Sequence, residues 1–239
     1  MTLPQTVERR LRALADNYAL HEGGVWALAA ILELQAEDPT ASTTVRDPAF
    51  AVDRHVADSL SALDLASVRA AGVIVDIGSG AGWPGLALAA ALPRARVTLL
   101  EAAARHCRYL ERAIEVAGLA NAGVVNARAE SWPGGIGSHD VATARALAAL
   151  PVVCEYAAPL LAPGGTLVAW KGAVGEDEAE DGRAAAAELG LMAVEVRRTE
   201  PFAGAREHTL HVFRKGAGTP ARFPRRPGMA TKRPLSAKK

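Results

Sequence analysis

The sequence predicts an α/β protein in which helices cover both faces of a mostly parallel β-sheet. Three observations carry this prediction. From residue 72 onward, short apolar runs rich in β-branched residues alternate with helical segments, which is typical of parallel strands joined by crossover helices. Most of these runs are continuously apolar, as burial on both faces requires. A glycine-rich turn directly follows the first run, and open α/β sheets bind ligands at such turns.

The chain divides into a helical N-terminal extension at 1–70, a core at 71–215 and a basic, flexible tail at 216–239. In the extension, Val7, Leu11, Leu14 and Tyr18 recur at the spacing of one helix face. Strands are predicted at 73–77, 96–100, 123–126, 140–143 and 166–170, and an antiparallel edge pair at 192–197 and 208–213. Helices are predicted between them at about 86–92, 102–117 and 150–161. The tail has four prolines and no apolar periodicity, which is typical of an arm without fixed structure.

Composition limits the possible functions. The 239 residues are 50% hydrophobic, enough to bury a core, and carry a net charge of +1. This value is a cancellation, because residues 214–239 contain nine Lys and Arg and no acid, leaving 18 positive and 26 negative charges in residues 1–213. A basic tail is typical of a protein with a polyanionic partner. The two cysteines exclude a disulfide framework or a Cys-rich zinc site, and no metal site is expected.

The sequence contains neither a secretory leader nor the ~18 uninterrupted apolar residues that span a bilayer. A cytoplasmic, monomeric protein without membrane attachment is therefore expected.

The first strand ends in a run of glycines, which includes Gly78, Gly80, Gly82 and Gly85. Glycine adopts backbone angles that are closed to other residues and lets a ligand approach the main chain. The spacing of the last three matches the dinucleotide fingerprint, and Glu101 lies about 20 residues further on. A NAD(P)-dependent oxidoreductase is therefore one alternative.

A second ligand class fits the position of the strand better. The strand leads directly into Gly78, and Asp76 lies two residues upstream. The resulting Asp-x-Gly-x-Gly-x-Gly pattern resembles the first motif of Rossmann-like class I methyltransferases, which bind S-adenosyl-L-methionine (AdoMet). We expect Asp76 to face the ammonium group of AdoMet, and Glu101, at the end of the second strand, to accept from the ribose hydroxyls. The C-terminal strand pair is a further methyltransferase feature.

The sequence also limits the atom that is methylated. The fourth strand ends in Ala144-Arg145-Ala146, without the Asn/Asp-Pro-Pro-aromatic motif common in amine methylation of nucleic acids. Cys107 and Cys154 lie in predicted helices, away from the strand ends where a nucleophilic cysteine would be needed. The remaining targets include nucleophiles such as guanine N7, for which catalysis requires positioning and electrostatics and no general base.

Nearly the whole chain resembles the bacterial small-subunit rRNA guanine-N7 methyltransferase family, RsmG, also called glucose-inhibited division protein B. The matching segments are 54–60, 75–85, 99–101, 105–110, 129–130, 143–146, 170–172, 206–208 and 223–228. The His-x-x-Asp-Ser element at 55–59, combined with the Pro-Gly ending of the glycine loop, is specific. Residues 227–231 are looser than the usual Gly-Thr-Pro pattern of the family.

This resemblance implies methyl transfer from AdoMet to N7 of a guanine in 16S rRNA, with S-adenosyl-L-homocysteine as the product. The partner would be 16S rRNA or the small ribosomal subunit, and no DNA is expected. The family's cofactor contacts fall on Gly78, Trp83, Ala129, Glu130 and Arg145. Trp83 stands where many relatives carry a smaller apolar residue, and Glu101 where many carry Asp. A non-catalytic RNA-binding module of Rossmann-like shape is a further alternative.

Several polar residues are candidates for the rest of the site. Arg145 and Lys171 follow two core strands at the edge where ligands bind, and both are candidate catalytic residues. The element containing His55, Asp58 and Ser59 forms either a local hydrogen-bond cluster or a lid. Candidate RNA contacts lie on the edge hairpin and in the tail, at Arg197, Arg206, His208, Arg225 and Arg226. On the hairpin, the same charges could instead form a solvated edge that opposes aggregation.

Overall fold

A computed structural model of the chain describes residues 3–237. Seven strands form one sheet in the order β3-β2-β1-β4-β5-β7-β6. The strands are β1 (Val73–Ile77), β2 (Arg96–Glu101), β3 (Ala122–Asn126), β4 (His139–Arg145), β5 (Leu161–Lys171), β6 (Leu191–Thr199) and β7 (His208–Lys215). Strands β1 to β5 pair in parallel, whereas β7 runs antiparallel to both β5 and β6. The predicted parallel sheet with an antiparallel edge pair is confirmed.

The longer helices cover both faces of this sheet. They are α1 (Gln5–Tyr18), α2 (Glu22–Glu37), α6 (Gly85–Ala91), α7 (Ala104–Ala117), α8 (Leu150–Ala157) and α9 (Glu176–Glu188). The short helices are α3 (Pro48–Ala51), α4 (Asp58–Leu60), α5 (Ala66–Arg69) and α10 (Met229–Lys232). Helix α8 ends earlier than the predicted 150–161, because Pro159 cannot continue a helix and β5 begins at Leu161. Within residues 3–237, no helix is long and apolar enough to cross a membrane.

Alternate residues of the core strands contact different helical layers. On β1, Ile74 packs with α1, α2, α6 and α7, whereas Val75 packs with α8 and α9. Both side chains are fully buried. The continuous apolar strands predicted from the sequence therefore serve two cores, one on each side of the sheet.

The N-terminal extension packs directly on one of these cores. Val7, Leu11, Leu14 and Tyr18 are buried along one face of α1, as their spacing predicts. Helix α2 packs against both α6 and α7. The segment Val52–Ala57 between α3 and α4 is π-helical, a conformation that is rare and frequent at functional sites. This segment brings the extension to the edge of the sheet where the carboxyl ends of the strands lie.

The tail differs from the flexible arm predicted for it, since its described residues pack against the core. Phe223 is buried with the residues of α8 and α9, and Ala230 in α10 is also buried. Arg225 forms a two-pronged pair with Glu155 of α8, with 2.7 Å between Nε and Oε1. Glu155 is fully buried, and a buried carboxylate requires a partner. The composition of the tail does not predict this pairing, because Glu155 lies 70 positions away from Arg225 in the sequence.

Candidate active site

The glycine loop between β1 and α6 requires glycine for steric reasons. Gly78, Gly80 and Gly82 all have positive φ, at 69°, 54° and 95°. A Cβ atom on Gly82 would lie 2.2 Å from Leu86, and one on Gly78 would lie 2.6 Å from Leu147. At Gly80 the nearest atom would be 3.8 Å away. The loop is therefore folded tightly against its own helix and the loop after β4.

Asp76 holds this loop from the inside. The register of β1 and β4 places Thr143 beside it, and the Thr143 hydroxyl donates to Asp76 Oδ1 at 2.8 Å. The Gly85 N–H donates to Asp76 Oδ2 at 3.2 Å. Burial raises the pKa of this carboxyl to about 6, although these hydrogen bonds oppose the shift. Asp76 does not line the cavity described next, so the expected contact with the AdoMet ammonium group is not supported by this geometry.

A cavity of about 870 Å³ opens above the glycine loop. It lies at the carboxyl ends of β1, β2 and β4, where the strand order reverses and open α/β sheets bind ligands. The predicted cofactor residues that line it are Gly78, Gly80, Trp83, Glu101, Ala129, Glu130 and Arg145. Gly82, like Asp76, does not line it and acts through the shape of the loop. The 42–45 segment also lines the cavity, although no motif in the sequence singles it out as part of the site.

Glu101 is the best-placed acceptor in this cavity. Its Oε2 accepts the Gly80 N–H at 2.9 Å, and its Oε1 accepts the Ala103 N–H at 2.8 Å. The residue is 8% exposed. Because each carboxylate oxygen has a second lone pair, both oxygens can also accept from a ligand. Glu101 therefore holds the glycine loop through Gly80 and keeps acceptor capacity at the cavity wall.

Trp83 forms the wall on the side of the N-terminal extension. Its indole N–H donates to Gln35 Oε1 of α2 at 2.7 Å. The His55 ring stacks on the indole with a centroid distance of 5.7 Å and an interplanar angle of 14°. Trp83, Gln35 and His55 are all buried. The bulkier residue noted in the sequence thus has a polar partner and a stacking partner in the extension.

A second cavity of about 680 Å³ adjoins the first. Val45, His55, Arg145 and Ala146 line both cavities. The remaining walls of the second cavity come from the π-helical segment, the end of β5 and the loop before β7, and include Arg54, Asp58, Trp170, Lys171, Phe202, Arg206 and His208. The site therefore has two compartments that meet at a shared wall.

Arg145 is the charged residue of this shared wall. Its Nη1 donates to Asp58 Oδ2 at 2.9 Å and to the Arg54 carbonyl at 3.0 Å, and its Nη2 lies 3.0 Å from His55 Nδ1. A guanidinium can only donate, so His55 Nδ1 accepts. The proton of His55 is therefore on Nε2, which lies 3.0 Å from the Thr43 hydroxyl. Burial, and then the charge of Arg145, lower the pKa of His55 to about 4.

Asp58 connects this cluster to the strands. Its Oδ1 lies 3.0 Å from His208 Nδ1 on β7, and its backbone carbonyl accepts the Trp170 indole N–H at 3.0 Å. Asp58 is 4% exposed. Within residues 3–237, the Oγ of neighbouring Ser59 is buried without a hydrogen-bond partner. Of the two interpretations of this element, the geometry supports the hydrogen-bond cluster.

Comparison with known proteins identifies the family to which the chain belongs. A family model described as rRNA small subunit methyltransferase G matches residues 36–207. The chain belongs to this family. Curated relatives named Ribosomal RNA small subunit methyltransferase G include one from Rubrobacter xylanophilus, 42% identical over 80% of this chain and 75% of the relative. Another, from Deinococcus radiodurans, is 38% identical over 94% of this chain and 91% of the relative. The family resemblance inferred from the motifs is confirmed.

Solved structures support the fold independently. A SAM-dependent O-methyltransferase from Thermotoga maritima matches with a TM-score of 0.54 at 17% identity, over 67% of this chain and 64% of that chain. Cofactor-bound Rv0187 from MTB matches with a TM-score of 0.53 at 21% identity, over 79% and 89% of the two chains. At these identities the likeness concerns the fold alone, and it confirms the class I methyltransferase architecture. The oxidoreductase alternative is not favoured.

Three candidate residues meet in the second cavity. Lys171, Arg206 and His208 all line it. Lys171 Nζ lies 2.6 Å from Glu178 Oε1 and donates to the Ala148 carbonyl at 3.1 Å. Arg206 is exposed, and among the described residues it is paired with no carboxylate. Lys171 is therefore held by an acid, whereas Arg206 is free to contact a ligand.

The other candidate RNA contacts lie outside both cavities. Arg197 pairs with Glu195 at 2.7 Å and donates to the Asp64 carbonyl. Arg225 is held by Glu155, as described for the tail, and Arg226 is exposed beside it. Neither cavity includes these arginines. A direct RNA role is therefore less favoured for Arg197 and Arg225 than for Arg206.

The two cysteines are removed from the reaction site. Both are buried, and neither lines the two cavities. The Cys107 thiol donates to the Glu101 carbonyl at 3.3 Å. Burial raises the pKa of both thiols, that of Cys154 to about 12. A nucleophilic thiolate is therefore not available from either residue.

Proposed function

We propose that the protein transfers a methyl group from AdoMet to N7 of a guanine in 16S rRNA and releases S-adenosyl-L-homocysteine. The observation that carries this proposal is the pair of adjoining cavities that share Arg145, in a chain of the rRNA small subunit methyltransferase G family. One cavity suits the methyl donor, and the other suits the acceptor base. The reaction would take place in the cytoplasm, on 16S rRNA or the small subunit, with the enzyme as a monomer.

The residues of the first cavity fit AdoMet. Its volume of about 870 Å³ lies in the range of small-molecule sites, ~300–1,000 Å³. The glycine loop exposes main chain at Gly78 and Gly80 to the cavity, and Glu101 offers two carboxylate oxygens suited to paired ribose hydroxyls. Ala129 and Glu130 form the far wall, where the nucleobase would lie. When bound, AdoMet supplies a methyl group on a cationic sulfur.

The second cavity would hold the guanine. Guanine N7 has a lone pair that attacks without losing a proton, so the task of the protein is to orient the base. Trp170, Phe202 and His208 give this cavity flat surfaces, and Arg206 at its rim is available for a phosphate. This arrangement supports in-line displacement without a general base.

Arg145 would align the two compartments. Its guanidinium is held by Asp58, His55 and the Arg54 carbonyl, so its position is set before either ligand binds. From the shared wall it can donate to an acceptor atom on either side. Asp76, in contrast, would act from beneath the glycine loop, and Lys171 would act from the end of β5.

Methyl transfer to ribosomal RNA tests this proposal. We expect radiolabel from AdoMet to enter 16S rRNA prepared from cells that lack the protein, and not rRNA from cells that contain it. Mass mapping should place the label on N7 of one guanine. Labelled RNA with the methyl group on another atom would contradict the N7 assignment, and absence of transfer would favour a non-catalytic RNA-binding module.

Calorimetry addresses the cofactor separately. We expect the protein to bind AdoMet and S-adenosyl-L-homocysteine and not NAD. A Glu101→Gln variant should weaken AdoMet binding, because a neutral amide is a poorer acceptor for two ribose hydroxyls. Binding of NAD alone would instead support the oxidoreductase.

A further inference from the structure

An exposed aromatic ring contacts one of the arginines that line the second cavity. Phe50, on α3, is 58% exposed. Four residues later, Arg54 of the π-helical segment places its guanidinium carbon 5.9 Å from the centre of the Phe50 ring. Arg54 itself lines the second cavity. The ring and the guanidinium therefore form one surface at the edge of the compartment that would receive the guanine.

This surface is connected directly to the shared wall. The backbone carbonyl of Arg54 accepts a hydrogen bond from Arg145 at 3.0 Å. The preceding helix is fixed at its start, because the Asp47 side chain accepts the Ala49 N–H at 2.9 Å. Phe50 is therefore held in place by a capped helix on one side and by the site cluster on the other, although its ring faces solvent.

The charges around this ring favour a polyanionic partner. Arg54 and Arg206 are both exposed and line the second cavity. Among the described residues, neither is paired with a carboxylate. The acids of the same cavity are Asp58, which is held by Arg145 and His208, and exposed Glu207. An exposed aromatic ring beside a free arginine, with a second free arginine lining the adjoining cavity, matches the stacking platforms on which single-stranded nucleotides bind.

We propose that Phe50 and Arg54 form a stacking platform for an unpaired RNA base next to the methylated guanine. The base would lie on the free face of the Phe50 ring, and Arg54 would contact the adjoining phosphate or stack beside it. Removing the neighbouring base from the rRNA helix would help to present the guanine to the second cavity. This inference rests on the proposed function, since it names the way in which the same site takes its substrate.

Binding measurements on 16S rRNA test the platform apart from catalysis. Phe50→Ala should weaken RNA affinity about tenfold, within the ~1–3 kcal/mol that one stacked base contributes. Phe50→Tyr should retain affinity within about twofold, because it keeps a ring of similar size. Trp26→Ala is the matched control, since Trp26 is 60% exposed and lines neither cavity; it should bind RNA as the wild type does.

Two further measurements distinguish a stacked base from a lost charge contact or a disturbed cofactor site. AdoMet affinity, and the slope of log affinity against log salt, should stay unchanged in Phe50→Ala, because no charge is lost. In an rRNA fragment with an abasic site beside the target guanine, wild-type affinity should fall about as far as it does in Phe50→Ala. The two losses should not add, as expected when they remove the same contact.

Some results would overturn the platform and leave the proposed function intact. Wild-type methyl transfer with unchanged RNA affinity in Phe50→Ala would do so. A loss of RNA affinity of equal size in Trp26→Ala would also overturn it. The same holds if the affinity loss from Phe50→Ala adds fully to the loss from an abasic site at each position flanking the target guanine. Conversely, RNA binding that depends on Phe50 without any methyl transfer would contradict the proposed function and retain the platform.

Discussion

Arg145 has a structural role in the hydrogen-bond cluster and a proposed role in methyl transfer, and the two can be separated by mutation. Arg145→Ala should lower methyl transfer about 100-fold or more, because the residue between donor and acceptor is lost. It should also destabilise the fold by about 3 kcal/mol, since Asp58 is 4% exposed and, among the described residues, its carboxylate would retain only the His208 ring as a side-chain partner. Urea unfolding and single-turnover methylation would measure the two effects.

The control is a second substitution at Asp58. Asn in its place keeps a polar side chain and removes the buried charge. The Arg145→Ala, Asp58→Asn double variant should therefore regain much of the lost stability while methyl transfer stays low. Recovery of both quantities together would show that Arg145 only holds the fold.

The lowered pKa of His55 predicts that the free energy of unfolding depends on pH. Burial and the charge of Arg145 lower its pKa from 6.5 to about 4 in the folded protein. Between these values the unfolded chain binds the extra proton, so the free energy of unfolding falls as pH drops below 6.5. The full contribution is present above pH 6.5, and at pH 5 the loss is about 2 kcal/mol. Urea unfolding at pH 7.5 and pH 5 would measure it.

His55→Asn isolates this contribution. The Asn side chain retains an acceptor for Arg145 and does not titrate, so the drop between pH 7.5 and pH 5 should shrink. Asp76 acts in the opposite direction, because its pKa is raised to about 6 and the folded protein gains stability as the carboxyl takes up a proton. The difference between wild type and variant removes the Asp76 effect. An unchanged pH profile would contradict a neutral, buried His55.

At the scale of one element, the glycine loop allows a comparison of two substitutions that differ in the backbone angle and in the space left for a Cβ atom. Gly80→Ala brings a Cβ no closer than 3.8 Å to another atom at φ 54°, so it should cost only about 1–2 kcal/mol for the left-handed conformation. Gly82→Ala puts alanine at φ 95°, outside the left-handed region, and also brings Cβ to 2.2 Å from Leu86. It should therefore destabilise the protein more and weaken AdoMet binding at least tenfold. Thermal melts would measure the stability of both variants, and calorimetry would measure their AdoMet affinity. Equal effects in the two variants would contradict this prediction.

The same loop indicates how far the sequence predicts this structure. Strand β1, the glycine turn and the position of Glu101 follow from local patterns, and the structure places Gly78, Gly80 and Glu101 around one cavity. The partners of Asp76 do not follow, because Thr143 lies 67 positions away on a neighbouring strand. A motif fixes which residue types occur near a ligand. The direction in which a carboxylate points depends on register between strands, which local spacing does not contain.

Contacts over long sequence distances also explain the missed part of the site. The cluster of Arg145 with Asp58 joins residues 87 positions apart, and the pair of Asp58 with His208 spans 150. The sequence identified all three residues as candidates without indicating that they meet. Family resemblance located them, and only packing of the extension against the sheet brings them to one wall.

At the scale of the whole molecule, the basic tail is built into the fold and contacts residues that line the first cavity. The sequence predicts a basic, flexible tail that contacts RNA, yet part of its charge is used internally. Arg225 neutralises Glu155, and the Gly228 N–H donates to Glu130 Oε1 at 2.9 Å. Thr231 also contacts the Tyr156 hydroxyl at 3.1 Å. Because Glu130 and Tyr156 line the first cavity, the tail supports the proposed cofactor site from behind.

Deletion of residues 220–239 should therefore impair more than RNA binding. The deletion retains Thr219, which Lys215 contacts, but leaves Glu155 buried and unpaired and uncovers the site of Phe223. We expect a loss of at least about 3 kcal/mol in unfolding free energy and weaker AdoMet binding. Arg226→Ala in the full chain, a substitution of an exposed tail residue, should weaken RNA binding alone.

Adding Glu155→Gln to the deletion should restore part of the stability without restoring AdoMet affinity, since the Gly228–Glu130 contact stays absent. Unchanged stability and AdoMet affinity after deletion would mean that the tail is a free arm.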